Sequence, residues 1–273
     1  MNDRKKMTIL YIIVSFILIV LLITAAIIIN NSTSATPTIN VENNRITKIV
    51  KSDTLSEIVY KASNEIYKGP GITPDKIAYI TIDDGPSKYT NEILDTLNKN
   101  NVNATFFMIN GNMKAHPEEV KRIIKDGNTA GFHSVSHDIH KLYQSPEATV
   151  EEFDTCNDTL YKISGETSKI IRLPYGSKPY APEESYNKLI DNGYLIWDWN
   201  LDTEDWRSTK DQIISNILYY GRDKKEIVIL MHEKEQSAKA LNNIILILKE
   251  RGYKILPVTN HDNPKNFWER NLK

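Results

Sequence analysis

The chain is 273 residues long, 40% hydrophobic and 25% charged, with a formal net charge of −1 and a single cysteine. Its length and composition fit one sizeable globular domain with appendages, and the balanced charge leaves no electrostatic footprint for nucleic acid. A lone cysteine excludes an intramolecular disulfide, so an apolar core must hold the domain together.

The first element is an uncharged apolar stretch from Thr8 to Ile29, preceded by Arg4-Lys5-Lys6. It is long enough to cross a bilayer as a helix, and longer than the apolar region of about 7–15 residues in a secretory signal. The basic flank keeps the N-terminus cytoplasmic. The reading is a cytoplasmic basic segment at 1–7 and a single-pass cell-membrane anchor at 8–29, with everything after it outside the cell. Cleavage among the small residues Ser32–Thr36, with secretion, is the alternative. Residues 30–44, rich in Ser, Thr, Asn and Pro, read as a flexible linker. Residues 45–71 form a short extension with no assigned role, closed by Gly69-Pro70-Gly71. The main domain is expected over 72–262 and a C-terminal tail over 263–273.

From Asp75 onward, short β-rich runs alternate with helical patterns. Strands are expected near 77–82, 104–109, 128–133, 169–173, 194–199, 226–231 and 253–258, with helices between successive pairs. Such alternation gives parallel strands with crossover helices. About seven strands and six helices fit a slightly incomplete (β/α) barrel better than an open sheet. Cys156 falls near the apolar positions Val150, Phe153 and Leu160 of a helical pattern and reads as a small core residue rather than a nucleophile.

Ionisable residues collect at one end of these strands. Asp83 and Asp84 follow the apolar run Ile77–Ile82 and precede Gly85-Pro86; His133, Arg172, Asp202, Asp205 and His232 stand at or just after the ends of other runs. In a barrel those ends converge on the face where catalytic groups gather. Adjacent carboxylates at the end of a buried strand repel each other and are poorly solvated unless a cation relieves them. His133 and His137, four apart, can share a helical face or turn and complete a two-His, one-carboxylate metal site. A metal held there with open positions acidifies water and polarises a carbonyl, which is hydrolytic chemistry. The second carboxylate is then placed to take a proton, with Arg172 keeping it ionised, and His232 is the candidate proton donor, tuned by Asp205 or Asp202. His116, His140 and His261 read as surface residues, with His140 a reserve ligand.

The segments Thr81–Pro86, His133–His137, Arg172–Gly176, Asp202–Trp206 and Leu230–His232 resemble, in order and spacing, the five motifs of the NodB-like polysaccharide deacetylases, family 4 of the carbohydrate esterases. The resemblance covers about Ile77 to Val258. It implies a distorted (β/α) barrel that removes acetyl groups from N-acetylated sugar polymers with a divalent metal, commonly Zn2+, with Co2+ or another ion as alternatives. It further implies Asp83 as general base, with Asp84, His133 and His137 as metal ligands. Arg172 orients Asp83, and Pro174 and Tyr175 shape the groove wall, the Tyr175 N–H helping to hold the oxyanion. Trp206 and Leu230 form the pocket for the acetyl methyl group, and His232, tuned by Asp205, protonates the departing amine. Two departures stand out: Ile82 where the family usually has an aromatic residue, and Glu233 where an Asp is frequent.

The expected substrate is the N-acetylglucosamine of a wall polysaccharide, most plausibly peptidoglycan, because a short membrane tether presents wall glycan at high effective concentration. Chitin-like or poly-N-acetylglucosamine oligomers are alternative substrates. An O-acetyl esterase on the same scaffold, and an inactive glycan-binding module, are the alternative functions.

Overall fold

A computed structural model of the protein describes residues 76–272. The expected anchor at 8–29, the linker and the extension at 45–71 lie outside the described residues. Among the described residues no helix is long and apolar enough to cross a membrane.

The strands are β1 (Ile77–Asp83), β2 (Thr105–Met108), β3 (Thr129–Phe132), β4 (Ile170–Ile171), β5 (Leu195–Ile196), β6 (Leu201–Asp202), β7 (Glu226–His232) and β8 (Lys254–Leu256). All pairings are parallel, in the order β5-β4-β3-β2-β1-β7-β6, with β8 pairing β1. One edge of β1 is shared: β8 occupies Ile77–Tyr79 and β2 occupies Thr81–Asp83. The seven expected strands are present, and β6 is an addition, a two-residue strand that carries Asp202.

The helices are α1 (Thr90–Lys99), α2 (Asn110–Ala115), α3 (Pro117–Lys125), α4 (Ile139–Leu142), α5 (Pro146–Ser164), α6 (Glu183–Asp191), α7 (Lys210–Tyr220) and α8 (Glu235–Glu250). Local chemistry fixes their ends. Ser145 caps α5 by accepting from the Ala148 N–H, Pro146 opens the helix, and Gly165 closes it at φ 77°. Thr209 and Gln212 form a reciprocal capping box on α7.

Strand alternation divides the apolar residues into two cores. Ala78, Ile80 and Ile82 face the helices and join the larger cluster with Leu94, Phe153, Leu241 and Ile244. The alternate residue Tyr79 packs with Phe107, Ile170, Trp197, Val228 and Val258. Contact among residues from β1, β2, β4 and β7 requires the sheet to curl around an interior. Thr81 and Asp83 continue the inward column above Tyr79, so alternation along one strand carries a carboxylate to the open end of the barrel. Cys156 is fully buried on α5, and burial pushes its thiol up, as a core residue requires.

The strands β5 and β6 end the hydrogen-bonded path, and the C-terminal segment lies along this seam. Asp198 N–H donates to the Lys265 carbonyl at 2.7 Å, and Asn266 is buried there with its amide on the Ile196 carbonyl. Residues 263–272 therefore pack against the domain rather than trailing from it.

Candidate active site

Strand register brings Asp83 and His232 side by side at the ends of β1 and β7. Asp83 is nearly fully buried, and its Oδ1 accepts from Arg172 Nη1 at 2.9 Å. The guanidinium, also buried, donates further to the Thr81 hydroxyl and to the carbonyls of Trp197 and Asp198. It lies 4.3 Å above the Phe107 ring. Burial pushes the Asp83 carboxyl up from its ordinary value, and the charges of Arg172 and His232 pull it back.

Asp84 adopts φ 70°, and both neighbouring carboxylates approach His133 Nε2, Asp83 Oδ2 at 3.6 Å and Asp84 Oδ1 at 3.8 Å. Asp84 Oδ1 also reaches His137 Nε2 at 3.7 Å, and these separations are too long for hydrogen bonds. One ligand atom from each of Asp84, His133 and His137 lies within 4.8 Å of the others. His133 Nδ1–H donates to the Arg172 carbonyl at 2.8 Å, leaving Nε2 with its lone pair aimed at the carboxylates. Burial lowers the His133 pKa to about 3, so the ring is neutral, as a ligand must be. The buried Asp84 Oδ1 has no hydrogen-bond partner, a costly state for a carboxylate oxygen. A neutral oriented imidazole, a second imidazole and an orphaned carboxylate oxygen fit a divalent cation.

The histidines share a loop rather than a helical face. Ser134 and His137 both adopt positive φ, at 76° and 51°. Glu152 on α5 holds the loop by accepting from the N–H groups of Val135 and Ser136 and from the Ser136 hydroxyl. Five of the seven positive-φ non-glycine residues among those described, Asp84, Ser134, His137, Tyr175 and Glu204, lie in loops at this end of the barrel. Backbone strain concentrates where it positions functional groups.

Of the two acids that could tune His232, Asp205 occupies the position. His232 Nδ1–H donates to Asp205 Oδ1 at 2.7 Å, and its backbone N–H donates to Oδ2 at 2.7 Å. The Ser237 hydroxyl also donates to Asp205. Burial alone would lower the His232 pKa, but the Asp205 hydrogen bond and the charges of Asp83 and Asp205 raise it to about 9. Asp202 instead accepts from the Glu204 N–H and lines the cavity.

A cavity of about 520 Å³ joins Asp83, Asp84, His133, His137 and His232 to Tyr175, Trp206 and Leu230. Leu230 is buried, whereas Tyr175 and Trp206 are 55% and 57% exposed at its rim. Among the described residues the Tyr175 N–H donates to no protein acceptor. Pro174, expected in the groove wall, is buried and does not line the cavity. His140 is exposed on α4 and stands outside the ligand cluster. A larger cavity, about 850 Å³, lies by Tyr219–Glu226 and contains none of these groups.

The sequence reading missed Tyr180, Trp199 and Lys234 on the cavity lining and two acids near it, the half-buried Glu152 and the buried Asp198, and it noted Glu233 only as a departure from the motif. Glu152 holds the histidine loop. Glu233 accepts from the Ser87 and Thr90 hydroxyls, and burial raises its pKa to about 7. It packs so closely on the turn after Asp84 that a Cβ at Gly85 would sit 2.0 Å from its Oε1. Asp198 is also buried, which pushes its carboxyl up, while hydrogen bonds from Ser177 and Phe267 pull it back.

Comparison with known proteins follows the same pattern. A family model described as polysaccharide deacetylase matches residues 71–194. The chain is 38% identical over 204 residues to a peptidoglycan-N-acetylglucosamine deacetylase of Bacillus cereus, covering 72% of this chain and 74% of that protein. Its fold is similar to the crystal structure of a polysaccharide deacetylase from Bacillus cereus, with a TM-score of 0.69 and 40% identity over 72% of this chain and 98% of that one. It is similar also to the catalytic domain of a peptidoglycan N-acetylglucosamine deacetylase from Eubacterium rectale, with a TM-score of 0.65 and 32% identity over 70% and 92%.

Proposed function

The chain belongs to the polysaccharide deacetylase family, and from that premise we propose that it hydrolyses N-acetyl groups of N-acetylglucosamine residues in peptidoglycan, releasing acetate. The observation that carries this reading is the convergence of the Asp83–Arg172 pair, the Asp84/His133/His137 cluster and the Asp205–His232 pair on one aromatic-rimmed cavity. The relatives' action on peptidoglycan supports the substrate.

Asp84, His133 and His137 would hold a divalent ion, for which Zn2+ is the best match to two imidazoles and one carboxylate. When bound, the ion supplies Lewis acidity, acidifying water and polarising the amide carbonyl. Asp83, kept ionised by Arg172, takes the proton of the attacking water as general base. The Tyr175 N–H, with no protein acceptor, is free to donate to the oxygen on which negative charge develops. Leu230 and Trp206 enclose the acetyl methyl group, and the rim aromatics give sugar rings flat apolar surfaces. His232, protonated through its pairing with Asp205, delivers a proton from Nε2 to the departing amine, which expels it from the tetrahedral centre. Asp83 and His232 thus divide base and acid duties from neighbouring register positions at the ends of β1 and β7.

The same proposal places the enzyme at the cell membrane, held by residues 8–29 with its domain outside, on the strength of the apolar stretch and its basic flank alone. Protease accessibility of the domain on intact cells, with membrane fractionation, tests the placement; a protected domain would overturn it. Acetate release from purified peptidoglycan, compared with N-acetylglucosamine oligomers and an O-acetylated sugar, tests the reaction. Preference for peptidoglycan is expected, whereas release confined to the O-acetylated sugar would make this an esterase.

A further inference from the structure

Asp198 lies between two segments of chain and touches both. Its Oδ1 accepts from the Ser177 N–H at 2.8 Å, and its Oδ2 accepts from the Ser177 hydroxyl and from the Phe267 N–H at 2.7 Å. Its backbone continues the connection, the N–H donating to the Lys265 carbonyl and the carbonyl accepting from Arg172 Nη2 at 3.0 Å. One fully buried residue therefore joins the loop Leu173–Ser177, the C-terminal segment Lys265–Trp268, and the guanidinium that holds Asp83.

Side chains on both segments close around that junction. Trp268 Nε1–H donates to the Ser177 carbonyl at 2.9 Å, and its ring stacks on Tyr186 at 5.0 Å. Gly176 adopts φ 89°, and a Cβ there would stand 2.9 Å from the Phe267 ring and 3.1 Å from Trp199. The loop is thus pressed against the C-terminal segment with no room for a side chain. Tyr175, whose N–H donates to no protein acceptor among the described residues, sits at φ 64° at the crest of this loop.

A carboxylate withdrawn from water is costly unless its lone pairs are engaged, and an apolar residue would fill the seam at lower cost. What the carboxylate adds is direction: it fixes two backbone N–H groups and a hydroxyl at defined points. We propose that Asp198 is a positioning residue, clamping Lys265–Trp268 onto the Leu173–Ser177 loop and thereby holding the Tyr175 N–H at the geometry the oxyanion requires. The proposal rests on the deacetylase reading and on the oxyanion role of Tyr175 within it.

The test uses the full-length, metal-loaded protein and its Asp198→Asn and Ser177→Ala variants, assayed well below their melting temperatures. The Asp198→Asn change presents an amide group to donors that met a carboxylate, whereas Ser177→Ala removes only the hydroxyl of the loop side. Misplacing one oxyanion donor should lower kcat at least about tenfold in Asp198→Asn and by a smaller factor in Ser177→Ala. KM should stay within about twofold and the zinc dissociation constant, from competition with a chromophoric chelator, should not change. A merely structural role would lower the melting temperature but leave kcat at wild-type level in both variants, and that result overturns the proposal. If Asp198→Asn does not fold, Ser177→Ala decides: a kcat-specific loss supports the clamp and unchanged kcat rejects it. Metal-loaded wild-type protein that released no acetate would reject the deacetylase reading itself, which separates the two failures.

Discussion

Asp83 Oδ1 and Arg172 Nη1 meet at 2.9 Å, with both side chains all but withdrawn from solvent. Burial pushes the Asp83 carboxyl up, and the Arg172 charge is the largest influence pulling it back. A general base must be ionised, so removing the guanidinium should move the acidic limb of kcat/KM to higher pH. Arg172→Met is expected to show this shift, with activity at pH values below the displaced limb reduced by up to about tenfold per pKa unit gained. A pH profile that only scales down, with its limb unmoved, would mean that Arg172 supports the fold and not the base.

The two adjacent aspartates should separate by mutation. Asp83→Asn keeps the Asp84/His133/His137 cluster intact, so its zinc affinity should stay near wild type while kcat falls by about 10²–10⁴-fold. His137→Ala removes a ligand and should weaken zinc binding by more than about 100-fold, with turnover falling in parallel. Calorimetric zinc titration alongside acetate release distinguishes them. Loss of zinc from Asp83→Asn would reverse the assignment of the two carboxylates.

The His232–Asp205 pair makes a prediction about stability. His232 has a folded pKa of about 9 against an ordinary value of 6.5, so its contribution is fully present below about pH 6.5 and is lost as pH rises through about 9. A displacement of that size corresponds to a few kcal/mol. Urea denaturation of the chelator-treated protein should show wild type losing about 2–3 kcal/mol more than Asp205→Asn between about pH 6 and pH 10. Parallel losses in the two proteins would remove Asp205 as the cause.

Trp206 is 57% exposed at the cavity rim, where truncation should cost binding rather than folding. A contact of about 0.5–1.5 kcal/mol with a sugar or acetyl group translates to KM raised about 3–10-fold in Trp206→Ala. Steady-state kinetics on peptidoglycan checks this, together with a melting temperature close to wild type. An unchanged KM would place the glycan elsewhere.

Much of this site was legible because its residues end buried strands. Asp83 and His232 close continuous apolar runs in β1 and β7, and a polar residue at such an end is conspicuous. The paired histidines and Arg172 stand out by type and spacing. The division of roles between Asp83 and Asp84 did not come from the residues but from the motif resemblance; both approach His133, while only Asp84 also approaches His137 and only Asp83 pairs with Arg172.

Other parts were hidden for physical reasons. The two-residue strand β6 is too short to carry any periodicity. Asp198 sat within an expected strand at 194–199, where alternation gave it no special direction; the strand ends at Ile196. Glu152 lies on α5, where an acid reads as solvent-facing, and only the fold brings it to the histidine loop. The C-terminal segment lacks helical or strand periodicity, and its contacts, Phe267 with Asp198 and Trp268 with Ser177, join residues far apart in sequence. Long-range partnerships of single side chains leave no local pattern.

The most direct test of the deacetylase mechanism is acetate release from purified peptidoglycan by the full-length protein, measured after chelation, after zinc is restored, and in the Asp83→Asn variant. Chelation should abolish release and zinc restore it, and release should be nearly absent from Asp83→Asn with its zinc still bound. Release indifferent to chelation, or undiminished in Asp83→Asn, would contradict that mechanism.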